Sequence, residues 1–524
     1  MGTVGVRGRG GPPTSSIANS GWVREESGMF IGVDCGTQGT KALVIDRDGR
    51  VHGRGHAAHT LIERDSGARE QHPSIWVDAM VTAVRMALRE AAVPAEAIRC
   101  LGISGQQHGL VVLDDAGAVI RPAKLWNDTE TAPDNDRIVA AFGGPAAWFE
   151  KVGIIPLTGY TISKLAFLAD REPANFARIA HILLPHDYLN HWLTGRFVAE
   201  YGDASGTGFF DVRKRAWAPD VLSLIDGGSG RLAAALPDLV APDAVIGSLT
   251  AAAAAALGLS TACQVAAGGG DNMMGAIGTG NVREGVVTMS LGTSATVFSY
   301  SDTPVLDPGG AVAPFCSSTG GWLPLVCTMN ATNVTSGGAH LFGRDIAFVS
   351  EALEATAPGA GGITMLPFLN GERTPDLPTA RGSILGLSAV NMTPDNLMRA
   401  MVEGVTFGVL AGLHRIRGDK APERVFMIGG GARSKSWRQM VADMTGAEIV
   451  VPAGDEAGCL GAAIQAIWAH GRATGAGEDI AAIADRCVTL DTDKTTIPAV
   501  SRKSAYDDAF RLYRARLAQV HGVN

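Results

Sequence analysis

Met29-Phe-Ile-Gly-Val-Asp34-Cys-Gly36-Thr37-Gln38-Gly39-Thr40-Lys41-Ala-Leu-Val-Ile-Asp46 reads as an apolar strand, a tight Gly-Thr turn and a second apolar strand. That is the pattern of a β-hairpin. It returns in Val286-Val-Thr-Met-Ser290-Leu-Gly292-Thr293-Ser294-Ala295-Thr296-Val-Phe-Ser. Glycines at each turn let backbone N–H groups crowd an anion, and the hydroxyls add donors. One copy opens each half of the chain, so two related domains facing one polyphosphate are expected. The chemistry this implies is nucleotide-dependent phosphoryl transfer.

Composition narrows the remaining classes. With 524 residues the chain is long enough for two or more domains with large cores. Net charge is −8 and the only tight basic cluster is Arg213-Lys214-Arg215, read as a solvated loop, so a nucleic-acid surface is not expected. The seven cysteines form no CxxC pair, which suits reduced cytoplasmic thiols rather than a disulfide framework or zinc site. No run of 18 apolar residues is present, so no membrane association is expected. Residues 1–28 are Gly/Arg/Pro/Ser-rich without an apolar segment and read as a disordered leader.

Beyond the first hairpin, Val51–Thr60 reads as extended, and Trp76–Ala91 as a helix with Pro73 just upstream. Ile98–Ile103 is a short buried strand ending at Ser104-Gly105-Gln106-Gln107-His108-Gly109, and Leu110–Asp114 opens a further hairpin. After helices and loops over 130–262, Gln264–Ala267 leads through Gly268-Gly269-Gly270 into Asp271 and a helix start. Later Val425–Ile428 runs into Gly429-Gly430-Gly431, and Gly458–His470 reads as a small-residue helix able to pack closely. Alternating strands and helices imply an α/β fold with a mixed sheet, ligands gathering where strands end. The domains expected are 29–272 and 273–524.

Several side chains stand out, each with two readings. Asp34 ends a buried strand beside a Gly-Thr turn, as a cap for turn N–H groups or as a ligand to Mg²⁺ through water. Asp271 is an N-cap or a general base that takes a hydroxyl proton. Gln107 and His108, with Trp126 some 20 positions on, supply the donors, acceptors and aromatic face that a polyhydroxylated ligand needs; either ring could instead be structural. Gly429, Gly430 and Gly431 are a simple turn or a loop passing close over a nucleotide. Neither a Gly-x-x-x-x-Gly-Lys-[Ser/Thr] loop nor a strict Gly-x-Gly-x-x-Gly occurs.

At these residues the chain resembles the FGGY carbohydrate kinases, and among them those acting on D-xylulose. The resemblance is carried by Gly32–Lys41, Gly102–Gly109, Leu125–Glu130, Leu184–Leu189, Asp203–Gly208, Gly269–Asn272, Ser290–Ser294, Leu366–Pro375 and Gly429–Arg433. It covers about residues 29–515. It implies two ribonuclease-H-like domains of the actin/Hsp70/hexokinase kind, flanking an interdomain cleft. It implies Asp271 as catalytic base and Asp34 as the carboxylate near Mg²⁺. Thr37 and Gln38 match the first phosphate loop, Gly292 and Thr293 the second, and Gly429, Gly430 and Gly431 the nucleotide-side loop. Gln107 and His108 fall where the sugar is held, with Asp271 and Asn272 at its far end. The activity implied is ATP-dependent phosphorylation of D-xylulose at O5, the alternatives being another ketose, a pentitol or gluconate. A cytoplasmic enzyme, with a homodimer possible, completes the expectation. Where related members often read Gln-Met-His, this chain has Gln106-Gln107-His108, an extra amide that could alter sugar contacts.

Overall fold

The structure, a computed structural model, describes residues 1–2 and 28–523, so the leader expected over 1–28 lies almost wholly outside the described residues. Two mixed sheets organise the rest. In the first, the order is Val245–Ser248, Gln264–Ala266, Ile98–Gly105, Met29–Cys35, Gly39–Ile45, Val51–Ala58, with Gly269–Gly270 pairing the end of Ile98–Gly105. In the second it is Ala313–Cys316, Trp322–Thr328, Ala295–Ser299, Val286–Leu291, Arg424–Ile428, Glu448–Val450.

Both sheets grow from the two quoted hairpins in the same way. Met29–Cys35 pairs antiparallel with Gly39–Ile45 and parallel with Ile98–Gly105. Val286–Leu291 pairs antiparallel with Ala295–Ser299 and parallel with Arg424–Ile428. Each then adds an outer antiparallel strand and an outer parallel one. This repeated topology is the doubled α/β architecture expected from the repeated motif.

Element ends differ from the sequence reading in places. Pro73 is not upstream of its helix but the first residue of it: the helix runs Pro73–Ala91 with His72 as N-cap, since proline needs no N–H at that position. Val111–Leu113 finds its main partner in His181–Leu183, with a single bridge from Leu113 to Val119 left of the expected hairpin. Arg213-Lys214-Arg215 is more than a solvated loop. Arg213 bonds Asp211 and the carbonyls of Glu150 and Lys151. Arg215 bonds the carbonyls of Gly320 and Gly321 and lies 4.2 Å over the Trp322 ring.

Two helices bind the halves together. Asp271–Gly278 leaves the first sheet, and Ala457–Thr474 packs across both that helix and the first sheet. The division at 272/273 is therefore one of sequence, crossed in space by a helix from the second half. Backbones meet here almost without side chains between them. A Cβ on Gly461 would lie 1.7 Å from the Met274 carbonyl oxygen, and one on Gly32 would lie 1.8 Å from that of Cys459. Glycine within a strand is a mark of such close approach. Among the described residues no helix is long and apolar enough to cross a membrane.

Candidate active site

Strand ends from the first sheet meet loops of the second half around a cavity of about 180 Å³. Gln107, His108, Trp126, Asp271 and Asn272 all line it, and Ser294, Thr296 and Arg373 face them from the second half. The five sugar-side residues named from sequence are thus in one place.

Asp271 is the first residue of its helix; Gly270 is the N-cap, so the capping reading gives way. Its Oδ1 accepts from the backbone N–H of Asn272 at 2.8 Å and from Asn272 Nδ2 at 3.1 Å. Asn272 Nδ2 also donates to Gln107 Oε1 at 2.9 Å, so the extra amide in the Gln106-Gln107-His108 loop helps fix the residue beside the acid. Asp271 is half-buried in the cavity wall. That burial, with the neighbouring carboxylates of Asp34 and Asp203, pushes its pKa up to about 7. A carboxylate poised there suits general-base work near neutral pH. The base acts ionised, so activity should fall as pH drops below about 7 and level off above it. An initial-rate profile of kcat/KM for the sugar tests this; a flat profile down to pH 5 would contradict it.

Asp34 does not cap its turn, whose Gly36 N–H goes to the Gly39 carbonyl. Its Oδ1 accepts from Ser104 Oγ at 2.6 Å, and burial holds its pKa above the usual carboxylate range. Gly458, in the first turn of the crossing helix, leaves no gap: a Cβ there would sit 2.8 Å from the Asp34 carboxyl carbon. Neither Asp34 nor Asp271 forms an ion pair among the described residues. Two half-buried carboxylates without an ion-pair partner are oxygen donors of the kind a hard divalent metal takes.

His108 adopts a left-handed backbone, φ 65°, which is uncommon for a side-chain-bearing residue. Lys164 Nζ and Thr161 Oγ1 hold that turn through the His108 carbonyl. The ring stacks on Tyr160 with centroids 4.7 Å apart, and Phe315 lies 5.7 Å away. Burial, then the charges of Lys164 and Arg373, lower its pKa to about 3, so it is neutral. Gly206 makes room for it, since a Cβ there would be 2.2 Å from the ring.

None of the expected nucleotide residues is among those lining this cavity. Thr37 Oγ1 donates to Gln106 Oε1 and accepts from Trp126 Nε1, both at 3.0 Å, so this hydroxyl ties the first turn to the cavity wall. Gln38 is exposed at the tip of that turn, and Thr293 at the tip of the second. Gly429, with φ 84°, presses on the Leu291 carbonyl, and Gly431 on the Leu291 side chain, placing the triplet beside Gly292. Gly430 has more open surroundings.

Sequence reasoning quoted the segments containing Ser104, Asp203, Gly206 and Arg373 but gave these residues no role. Asp203 is buried, takes His186 Nδ1 at 2.6 Å and raises the pKa of Asp271. Tyr160 and Phe315 carried no sequence signal at all.

With this geometry in view, comparison with known proteins is informative. Residues 29–278 match the FGGY family of carbohydrate kinases, N-terminal domain, and residues 287–470 the C-terminal domain. The chain belongs to the FGGY family of carbohydrate kinases. A xylulose kinase from Haemophilus influenzae is 45% identical over 499 residues, 94% of this chain and 100% of the relative. One from Streptomyces rubiginosus is 42% identical over 88% of this chain and 92% of its own. The crystal structure of xylulose kinase from Bifidobacterium adolescentis superposes with a TM-score of 0.81 at 32% identity, covering 94% of this chain and 99% of that one. Membership of the FGGY family makes this chain an ATP-using sugar kinase of two α/β domains, in keeping with its repeated hairpins.

Proposed function

We propose that this FGGY kinase transfers the γ-phosphoryl group of ATP to O5 of D-xylulose, giving D-xylulose 5-phosphate and ADP. The observation that carries the reading is Asp271, an acid of raised pKa at the wall of a sugar-sized cavity between the halves. Its likeness to xylulose kinases along nearly the whole chain supports the choice of sugar.

In this reading Gln107, His108, Trp126 and Asn272 hold the sugar hydroxyls. Asp271 accepts the O5 proton as the O5–P bond forms and the bond to the β,γ-bridging oxygen breaks, ADP leaving with that electron pair. Neutral His108 serves as a hydrogen-bonding group rather than a charge. Backbone N–H groups around Thr37, Gln38, Gly292 and Thr293 cradle the phosphates, with Gly429, Gly430 and Gly431 beside the nucleotide. Mg²⁺, for which Asp34 is the nearest fitting carboxylate, would offset charge on the phosphoryl oxygens. Positioning and electrostatic stabilisation do most of the work in such transfers. The sugar-side and nucleotide-side units are taken as 29–272 and 273–524.

An ADP-coupled assay across D-xylulose, D-ribulose, xylitol and gluconate tests the assignment. D-Xylulose should give the highest kcat/KM, with the phosphate on C5 by NMR, and chelation should abolish turnover until Mg²⁺ is restored. Preference for gluconate or a pentitol would overturn the choice of sugar, and activity unchanged in excess chelator would overturn the metal.

A further inference from the structure

Among the described residues Arg373 is the only Lys or Arg lining the cavity. Its neighbour Glu372 turns the other way. Glu372 Oε1 accepts from the backbone N–H groups of Met329 and Arg373, and Oε2 from Asn330 Nδ2. Reciprocal backbone bonds between Glu372 and Leu377, at 2.9 and 3.0 Å, fix the segment. The guanidinium is therefore presented from a braced loop, and among the described residues it has no ion pair. Ile154, Leu157, Val312, Phe315 and Leu325 in the same wall offer no acceptor from their side chains, and the guanidinium bonds the weakly accepting sulfur of Cys327.

The position of Arg373 along the cavity is also marked. Arg373 lines the same cavity as the stacked rings of His108 and Tyr160, and its charge acts on both and on Cys327. It thus belongs to the stretch of wall around those rings, where the part of the sugar that is not phosphorylated is taken to lie. A guanidinium is donor-only, with several N–H groups in a fixed plane. The oxygens it would meet there on a ketopentose are the C2 carbonyl and the C1 hydroxyl.

We propose that Arg373 is a specificity-determining residue that donates hydrogen bonds to the carbonyl end of the sugar. This rests on the ketose reading above. It makes the second half of the chain a direct reader of the sugar, not only a nucleotide platform.

The test is steady-state kinetics on the full chain with Arg373→Gln and Arg373→Lys beside wild type. Losing a charged hydrogen bond should raise KM for D-xylulose about 10- to 100-fold while KM for ATP holds. The kcat/KM advantage of D-xylulose over xylitol, which lacks the carbonyl, should shrink in Arg373→Gln and partly return in Arg373→Lys. A rise in KM for ATP alone would mean that the guanidinium serves the phosphates, and unchanged constants would mean that it touches neither substrate; either overturns the proposal. A raised sugar KM with the ketose advantage intact would overturn the carbonyl contact. If wild type ignores D-xylulose but accepts another sugar of the panel, the ketose reading fails with the carbonyl contact. The split between sugar KM and ATP KM, measured with the accepted sugar, then still decides whether Arg373 contacts the sugar.

Discussion

Asp271→Asn should lower kcat by about 10²- to 10⁴-fold, the usual contribution of a positioned general base, while the KM for sugar changes little. The amide keeps the size of the side chain and its place at the start of the Asp271–Gly278 helix, and its oxygen can still accept from Asn272. What it loses is the capacity to take a proton. On the proposed reading binding is spread over Gln107, His108, Trp126 and Asn272, so the ground-state complex should survive. The expected pattern is a fall in kcat and kcat/KM together, the mark of an interaction made in the transition state. Near-normal turnover by Asp271→Asn would remove the acid from the mechanism. A large rise in sugar KM at normal kcat would reduce it to a binding group.

Gly461→Ala should be the most damaging single methyl in the protein outside the cavity. The new Cβ would stand 1.7 Å from the Met274 carbonyl oxygen and 2.9 Å from the Gly278 amide nitrogen, where nothing but backbone can give way. Overpacking of a tight core costs roughly 1–3 kcal/mol and sometimes more. Because both helices here carry the site, activity should fall as well. Gly275→Ala in the facing helix is the control: no atom lies within 4 Å of its added Cβ, and replacing helical glycine is worth up to about 1 kcal/mol of stability. Thermal unfolding should separate the two, Gly461→Ala well below wild type and Gly275→Ala at or above it. Equal midpoints for both variants would mean that the helices move apart freely.

The doubled hairpin was legible because its signals are local. Apolar alternation and Gly-Thr turns are written within some 15 residues, and both copies fold as read. Asp34, Asp271, Gln107 and His108 were legible for the same reason, lying at strand ends beside glycines. Less local features were not. Small residues in Ala457–Thr474 announced close packing but not its partner, which is the first sheet at Gly32 and Gly102. The packing of Tyr160 and Phe315 around His108 joins three segments far apart in sequence, and ordinary aromatic spacing does not encode that. Arg213 and Arg215 looked solvated because charge clusters usually are; their carbonyl acceptors come from a helix and a turn remote in sequence. Arg373 was quoted within a matching segment without a role, since the turning away of Glu372 is visible only in three dimensions.

The missing side chain at Gly458 has a consequence of its own. Asp34 rests directly against the amino-terminal turn of Ala457–Thr474, with a gap too small for a methyl group. The positive pole of a helix steadies a nearby anion. A helix from the second half of the chain thereby offsets part of what burial costs the charged form of Asp34, so any change in how that helix docks reaches this carboxylate directly.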